Sequence, residues 1–447
     1  MMQRRRYYLL SLGCAKNTVD SDGMGQLLGR AGYDGTADPA EADLLVVNTC
    51  GFISPARDES MDALCQLAAI KRPGQRLVAA GCLAQLAGAE LFRQVPGLDG
   101  VLGTRRWMDV DVFVDQLGRH RRLVHLPAEA DTVGLDERGV IRASVQGASA
   151  YLKIADGCRR PCAFCAIPAI KGTAVSRAAE QIVADAVHLA ARGVREIILI
   201  AQDTSDYGRD LGLRDGLATL LDRLVAAVPD LPWIRIMYAY PGYVTPGLIE
   251  TMARHPQILP YLDIPLQHAH PATLRRMRRP ANVDSVRMTI AAMRRRMPDM
   301  AIRTTFIVGY PGETEDEFRA LLGLIDEIAF DRVGAFTYWP EPGTPAAGLP
   351  DQLADEVKSE RYDRLMLRQQ AISLARNRAQ IGRTLDVLIE EHRDGDSIGR
   401  SYRDAPEIDG VVCIEGEWPM GEILPVRITA ATHYDLVGIV PTQTAAA

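Results

Sequence analysis

The chain has no apolar run approaching the ~20 residues that a membrane-spanning helix needs, and no surplus of positive charge. Its 51 Lys and Arg face 57 Asp and Glu, a net charge of −6, so no global basic field draws it to nucleic acid. Cysteine is sparse, eight in 447 residues at irregular spacing, which excludes the disulfide framework of a small secreted fold. The opening Met1-Met2-Gln3-Arg4-Arg5-Arg6, followed by apolar residues up to Cys14, mimics a lipoprotein signal. Its apolar stretch is too short for a leader and polar Lys16-Asn17 follow at once, so a first β-strand is expected there. What remains, 47% hydrophobic and 24% charged, is ordinary globular composition with length for about three domains.

Against that background one run stands out: Gly157-Cys158-Arg159-Arg160-Pro161-Cys162-Ala163-Phe164-Cys165. Three thiolates on one tight loop can hold three irons of a cubane cluster and leave the fourth open to a small molecule. The segment resembles the cluster loop of radical S-adenosylmethionine (SAM) enzymes. Zinc or three buried thiols is the competing reading. Zinc sites usually pair two knuckles, and no second pair is near. Thiolate ligands need a reducing compartment, which implies the cytoplasm.

Residues 1–115 alternate strand-like runs (Tyr7–Leu12, Asp43–Val47, Arg76–Ala80) with helical segments (Asp20–Ala31, Ala56–Ile70). That is the rhythm of a parallel α/β sheet. Each run ends at or just before a cysteine: Cys14, Cys50 and Cys82. Functional groups gather at the carboxyl ends of parallel strands, so neighbouring strands would bring these thiols together. The bland alternative is three coincidentally buried cysteines. Cys65 and Cys413 lack such placement and read as structural. Gly23-x-Gly25-x-x-x-Gly29 is off register for a dinucleotide loop. Residues 116–149, with Arg119 to Arg122 and then Glu129, Asp131, Asp136 and Glu137, read as a linker or hairpin.

Six more strands are expected, at Tyr151–Ala155, Glu196–Ala201, Trp233–Tyr238, Tyr261–Ile264, Ile302–Val308 and Val333–Thr337. Helices such as Glu180–Arg192 and Asp316–Ile328 separate them, which predicts a partial (βα)6 TIM-like barrel. Unusual residues follow each strand and would share one mouth: the cysteine loop, Gln202-Asp203-Thr204, Tyr240-Pro241, Gln267-His268, Gly309 to Glu313, and Glu341 to Thr344. His268 and His270 read as structural, and Pro342 to Pro345 as a turn. A long charged helix is expected over 352–380. Beyond it, Thr384–Ile389, Ile408–Ile414, Ile423–Thr429 and Leu436–Val440 predict a small β-barrel.

These features together resemble the methylthiotransferase family of radical SAM enzymes along nearly the whole chain. The resemblance rests on Ser11 to Asn17, Asn48-Thr49-Cys50, Gly81-Cys82, Asp263 to His268 and Phe306 to Thr314. It implies an N-terminal methylthiotransferase domain (1–120), a radical SAM core (144–378) and a TRAM domain (379–445). Within the family, Gly399 to Gly410, Ala201 to Thr204 and Ala15-Lys16-Asn17 resemble the RimO branch, which methylthiolates the β-carbon of an aspartate in small-subunit ribosomal protein S-twelve. The neighbouring branch acts on a tRNA adenosine. From residue 381 onward five Arg face twelve acids, which supports the former, because a tRNA grip needs cations and an acidic surface suits a basic protein. A merely solvated acidic face is the bland reading.

The resemblance implies two [4Fe–4S] clusters, one on Cys158, Cys162 and Cys165 that binds SAM, and an auxiliary one on Cys14, Cys50 and Cys82 that carries sulfur. SAM would serve as radical source and as methyl donor, and an electron donor would be a partner. No membrane is expected. Gln202, Gln267, Gly309 and Glu313 are the candidate SAM contacts. The other reading has Gln202, Gln267 and Glu313 capping strands and turns, and Gly309, with Gly312, permitting a tight turn close to a ligand. Relatives often carry Arg where this chain has Lys171 and Val175, which puts in doubt any cofactor or substrate contact at those two positions. A non-catalytic iron–sulfur RNA-binding or sensor protein is the rival from another class. It would need a closed cluster and a basic surface.

Overall fold

The computed structural model describes residues 4–120, 122–127, 136 and 138–441. Arg121, Glu129, Asp131 and Glu137 of the expected linker lie outside the described residues, as do residues 1–3 and 442–447.

The first sheet has six strands, all parallel: β1 (Arg5–Ser11), β2 (Tyr33–Gly35), β3 (Leu44–Thr49), β4 (Arg76–Ala80), β5 (Gly100–Gly103) and β6 (Leu123–His125), in the order β2-β1-β3-β4-β5-β6. Every residue of β3, Leu-Leu-Val-Val-Asn-Thr, is buried, as a central strand covered on both faces requires. Apolar clusters fill each side of the sheet. The strand order reverses between β1 and β3. Such switch points open a crevice beyond the strand ends, and Cys14 and Cys50 follow those two strands. Helices α1 (Ala15–Arg30), α2 (Ser54–Ile70) and α3 (Gly81–Ala87) follow β1, β3 and β4. Gly23 and Gly25 sit inside α1, facing the Trp107 ring and the Tyr7 hydroxyl, so this glycine run packs a helix and cradles no phosphate.

The second sheet contains β7 (Ala143–Gln146), β8 (Ser149–Lys153), β11 (Glu196–Ile200), β12 (Trp233–Ile236), β13 (Ile258–Asp263), β14 (Ala301–Val308) and β15 (Arg332–Thr337). A two-stranded piece, β9 (Ala155–Asp156) with β10 (Val175–Ser176), brackets the cysteine loop. From β8 to β15 all six strands pair in parallel, and β7 joins antiparallel at one edge. This is the six-strand partial barrel, and the segment read as linker or hairpin supplies the hairpin strand β7. The barrel interior holds Tyr151, Ile198, Trp233, Met237 and Tyr261. Val19 of α1 packs against that cluster, and so do Leu388 and Ala405 from the C-terminal domain.

The long charged helix is unbroken over Asp355–Arg378. The last domain closes a barrel of five strands: β16 (Thr384–Arg393), β17 (Asp396–Ser401), β18 (Val412–Ile414), β19 (Ile423–Ala431) and β20 (Leu436–Ile439). The expected strand over Ile408–Ile414 begins only at Val412, because Asp409 accepts from the Ala405 N–H at 3.0 Å and the Tyr261 hydroxyl at 2.7 Å. The Gly399 to Gly410 segment fastens this barrel to the core. Arg400 reaches Glu196 at 2.6 Å, Arg403 reaches Asp331 at 3.1 Å, and Arg332 reaches Asp404 at 2.5 Å, all buried.

Candidate functional site

The carboxyl ends of β1, β3 and β4 lie side by side, and their loops are locked by backbone chemistry. Gly13 takes φ +94°, and a Cβ there would stand 2.8 Å from Cys50 Cβ and 2.9 Å from its Sγ. Only glycine lets the Cys14 loop close on Cys50. Asn17 donates to the Leu12 and Thr49 carbonyls at 3.0 and 3.1 Å, and Asn48 donates to the Asn17 carbonyl at 2.9 Å. Ser60 of α2 takes the Cys50 N–H at 2.9 Å. Cys82 Sγ lies 3.6 Å from Asn17 Oδ1.

The cysteine loop enters from β9 through Gly157, at φ +73°, where a side chain would collide with the Thr173 carbonyl. Cys158 N–H donates to Gly172 O at 3.0 Å and Ala163 N–H to Met277 O at 2.9 Å. Arg160 pins the loop to the end of β11. It reaches Asp203 at 2.7 Å and Asp206 at 3.0 Å, and lies over Tyr243 at 3.7 Å. Asp203 is thus a loop anchor.

All six of these cysteines line a single cavity of about 460 Å3. Its lining carries Lys16, Arg160, Lys171 and Arg279 and, among the described residues, no Asp or Glu. Among the described residues no three His, Cys, Asp or Glu side chains stand close enough to grip one ion. A cubane presents separate corners, so its thiolates stand further apart than the ligands of a single metal. Burial pushes the Cys82 and Cys165 thiols up to about 12 and Cys158 to about 11, and raises Cys50. Cys14 differs. Burial opposes its thiolate too, yet the Lys16 ammonium and the N–H groups of Asn17 and Lys16 outweigh it and hold the thiol below its usual range. Loading iron here must expel protons, because the thiolate is the ligand.

Gln202 and Gln267 line the cavity, and each carries a buried Oε1 with no partner among the described residues. An orphaned buried acceptor is costly, and a bound molecule with a donor would satisfy it. Gln267 also sits at φ +73°, strained backbone of the kind that collects at ligand sites. Gly309 and Glu313 are not in the lining. Gly309 lies against the Lys358 side chain of the long helix. Glu313 receives Arg361 at 2.8 Å and the Tyr310 N–H at 3.1 Å, and burial pushes its carboxyl up to about 6. Both seat that helix. His268 is buried and neutral, pushed down to about 3 by burial, and accepts the His270 N–H at 3.0 Å.

Lys171 lines the cavity and pairs with Asp20 of α1 at 2.8 Å. Val175 pairs its backbone with Asp156 in the small β9–β10 piece. Tyr240, expected at the mouth, lines the cavity, and so do Tyr238 and Arg279, which the sequence did not mark as site residues. Tyr240 hydroxyl lies 3.8 Å and Arg279 Nη1 3.6 Å from Cys162 Sγ. Tyr240 follows a strand and was legible as a mouth residue, whereas Arg279 sits after a short helix with no motif to mark it.

A doubly wound domain, a six-strand partial barrel with a three-cysteine loop, and a small C-terminal barrel define a radical SAM enzyme with two appended domains. Matches to known families agree: residues 6–103 to the uncharacterized protein family UPF0004, 152–325 to the Radical SAM superfamily, and 381–440 to the TRAM domain. Solved structures show the fold. The radical SAM methyltransferase TsrM from Kitasatospora setae superposes with a TM-score of 0.58 at 16% identity, covering 77% of this chain and 75% of that one. The radical SAM enzyme OxsB gives 0.51 at 12% identity, covering 83% and 56%.

Relatives named ribosomal protein uS12 methylthiotransferase RimO align over nearly full length. The one from Chloroflexus aurantiacus is 51% identical, covering 97% of this chain and 99% of its own. That from Heliobacterium modesticaldum is 46% identical (97% and 94%), and that from Carboxydothermus hydrogenoformans 41% (97% and 99%). The chain belongs to the radical SAM methylthiotransferase family, in its RimO branch.

Proposed function

We propose that this enzyme transfers a methylthio group to the β-carbon of an aspartate in ribosomal protein uS12, with Cys158, Cys162 and Cys165 holding a SAM-binding [4Fe–4S] cluster and Cys14, Cys50 and Cys82 a second one. The observation that carries this is the convergence of six thiols from two domains on one cavity. A β-carbon hydrogen is not acidic enough for any side-chain base, so the clusters and SAM supply radical and sulfur chemistry. The protein's part is placement. Arg160, Asp203 and Asp206 fix the cysteine loop, Asn17, Asn48 and Ser60 fix the second trio, and Gln202 and Gln267 offer acceptors to SAM or substrate. Thiolate ligands need a reducing compartment, which supports the cytoplasm as the place where this enzyme works.

The C-terminal barrel supports a protein substrate over tRNA. Five Arg and twelve acids lie beyond residue 380. Arg400 and Arg403 are buried in ion pairs with the core, and Arg383 and Arg393 pair with Asp299 and Glu391. Little positive charge is left for phosphate, and the acidic face suits a basic ribosomal protein. The test is mass spectrometry of ribosomal proteins from cells with and without the enzyme. A methylthio increment on uS12 that vanishes on deletion, with tRNA nucleosides unchanged, is the expected result. An unchanged uS12 with a lost tRNA methylthio group overturns it.

A further inference from the structure

The cations of the cavity are not equivalent. Arg160 is neutralised by Asp203 and Asp206. Lys171 is neutralised by Asp20 at 2.8 Å. Arg279 donates to the Pro265 carbonyl and aims Nη1 at Cys162 Sγ. Lys16 has no ion-pair partner among the described residues. The carboxylate whose field it feels, Asp263, lies beyond ion-pairing distance and is held by Arg303 at 3.0 Å.

What Lys16 does touch is an aromatic face: its Nζ stands 3.5 Å from the Tyr238 ring centre. Tyr238 is held at φ +63°, a left-handed conformation that a side-chain-bearing residue adopts only under constraint. The Tyr238 carbonyl is gripped by the Thr204 N–H at 3.0 Å. The ring supports the ammonium from one side. An ammonium has three donors, and the described lining, without Asp or Glu, offers them no carboxylate; the anion that Lys16 does face is the Cys14 thiolate, itself a ligand of the second trio.

We infer that Lys16 is the anchor for the carboxylate of the target aspartate, and so the residue that selects an acidic side chain at this site. The inference rests on the function proposed above. In aspartate the carboxylate carbon is bonded directly to the β-carbon, so fixing the carboxylate fixes the reacting carbon within one bond length. Lys16 follows Cys14 by two residues, which places that carbon beside the trio that ends β1, β3 and β4. An uncharged isostere would leave the ammonium without its counter-ion, and sites built around a buried polar group reject analogues that lack its partner.

The test is anaerobic equilibrium binding of two peptides to the cluster-loaded enzyme, one carrying the uS12 loop with its target aspartate and one with asparagine there. Wild type should favour the aspartate peptide by about tenfold to a hundredfold. Lys16→Gln should erase that preference, and Lys16→Arg should keep most of it. No preference in the wild type overturns the inference even if the Gln variant fails to fold. So does a preference that survives in Lys16→Gln. A fall in SAM affinity with the aspartate preference intact assigns the ammonium to the methionyl carboxylate instead and overturns it. Loss of about four irons per chain in the variant assigns it to the cluster and overturns it as well. A wild type that methylthiolates neither peptide sinks the proposed function itself, a result distinct from all of these.

Discussion

Lys171 Nζ stands 2.8 Å from Asp20 Oδ2, both buried, and the two residues come from different domains. Asp20 lies on the helix that leaves Cys14, and Lys171 ends the short helix that leaves Cys165. Lys153 also contacts Asp20, and Arg142 approaches it at 3.9 Å. The pair therefore ties the frames of the two cysteine trios to each other. It also gives the departure at Lys171 a physical reading: a point charge suits a carboxylate offered by α1.

Asp20→Asn should strip a buried cluster of cations of one of its two shared anions, leaving Asp156 as the carboxylate that Lys153, Lys171 and Arg142 share. Breaking a buried pair on one side costs roughly 3–5 kcal/mol, so the melting temperature should fall clearly. Adding Lys171→Met should recover part of the loss, because it removes one of the stranded charges. Strictly additive losses in the double variant would refute the coupling.

The Arg400–Glu196 pair predicts an acid dependence. Burial opposes ionisation of Glu196, but Arg400 and Arg235 outweigh it and hold the carboxyl at about 2, down from 4.5. A depressed carboxyl stabilises the fold above its unfolded pKa, here by about 3 kcal/mol. That contribution is lost as pH falls from 4.5 toward 2. Glu196→Gln should therefore melt below wild type at neutral pH, with the gap narrowing through that window. A gap independent of pH would contradict the assignment.

Tyr240 should tune the cluster on the cysteine loop. Its hydroxyl lies 3.8 Å from Cys162 Sγ and becomes the donor once that sulfur is a thiolate. Hydrogen bonds to ligand sulfur stabilise the more negative, reduced state. Tyr240→Phe should shift the reduction potential to a more negative value in an EPR-monitored titration, with iron content unchanged. An unshifted potential would remove Tyr240 from this role.

Gly13→Ala should damage only the second trio. The new Cβ meets Cys50 at 2.8 Å, on a backbone at φ +94°. The expected result is about half the iron of wild type, with reductive SAM cleavage retained by the loop cluster. Full iron in the variant would show that the Cys14 loop can relax.

How much of this the sequence disclosed depended on where each signal lived. β3 and β4 were legible because buried parallel strands are runs of apolar residues, and Cys14, Cys50 and Cys82 were legible as their endings. β17 was not. Asp396–Ser401 is polar and carries Gly399, yet five of its six residues are buried. Arg400 and the Ser149 hydroxyl meet across domains at 3.1 Å, a tertiary pairing that no local pattern encodes. For the same reason Gly309 and Glu313 read as ligand contacts, although Lys358 and Arg361 of the long helix, far on in the chain, are what meet them. Lys16 was visible as a residue of a motif, but its lack of a carboxylate partner shows only once the four cations that two domains bring to one cavity are compared.

The most direct test of the whole account is iron quantified with Mössbauer spectroscopy on the anaerobically loaded protein. Two open cubanes predict about eight irons per chain, falling to about four when Cys14, Cys50 and Cys82 are replaced together by Ala. Iron unchanged in that triple variant, or a cluster fully ligated by four side chains, would contradict it.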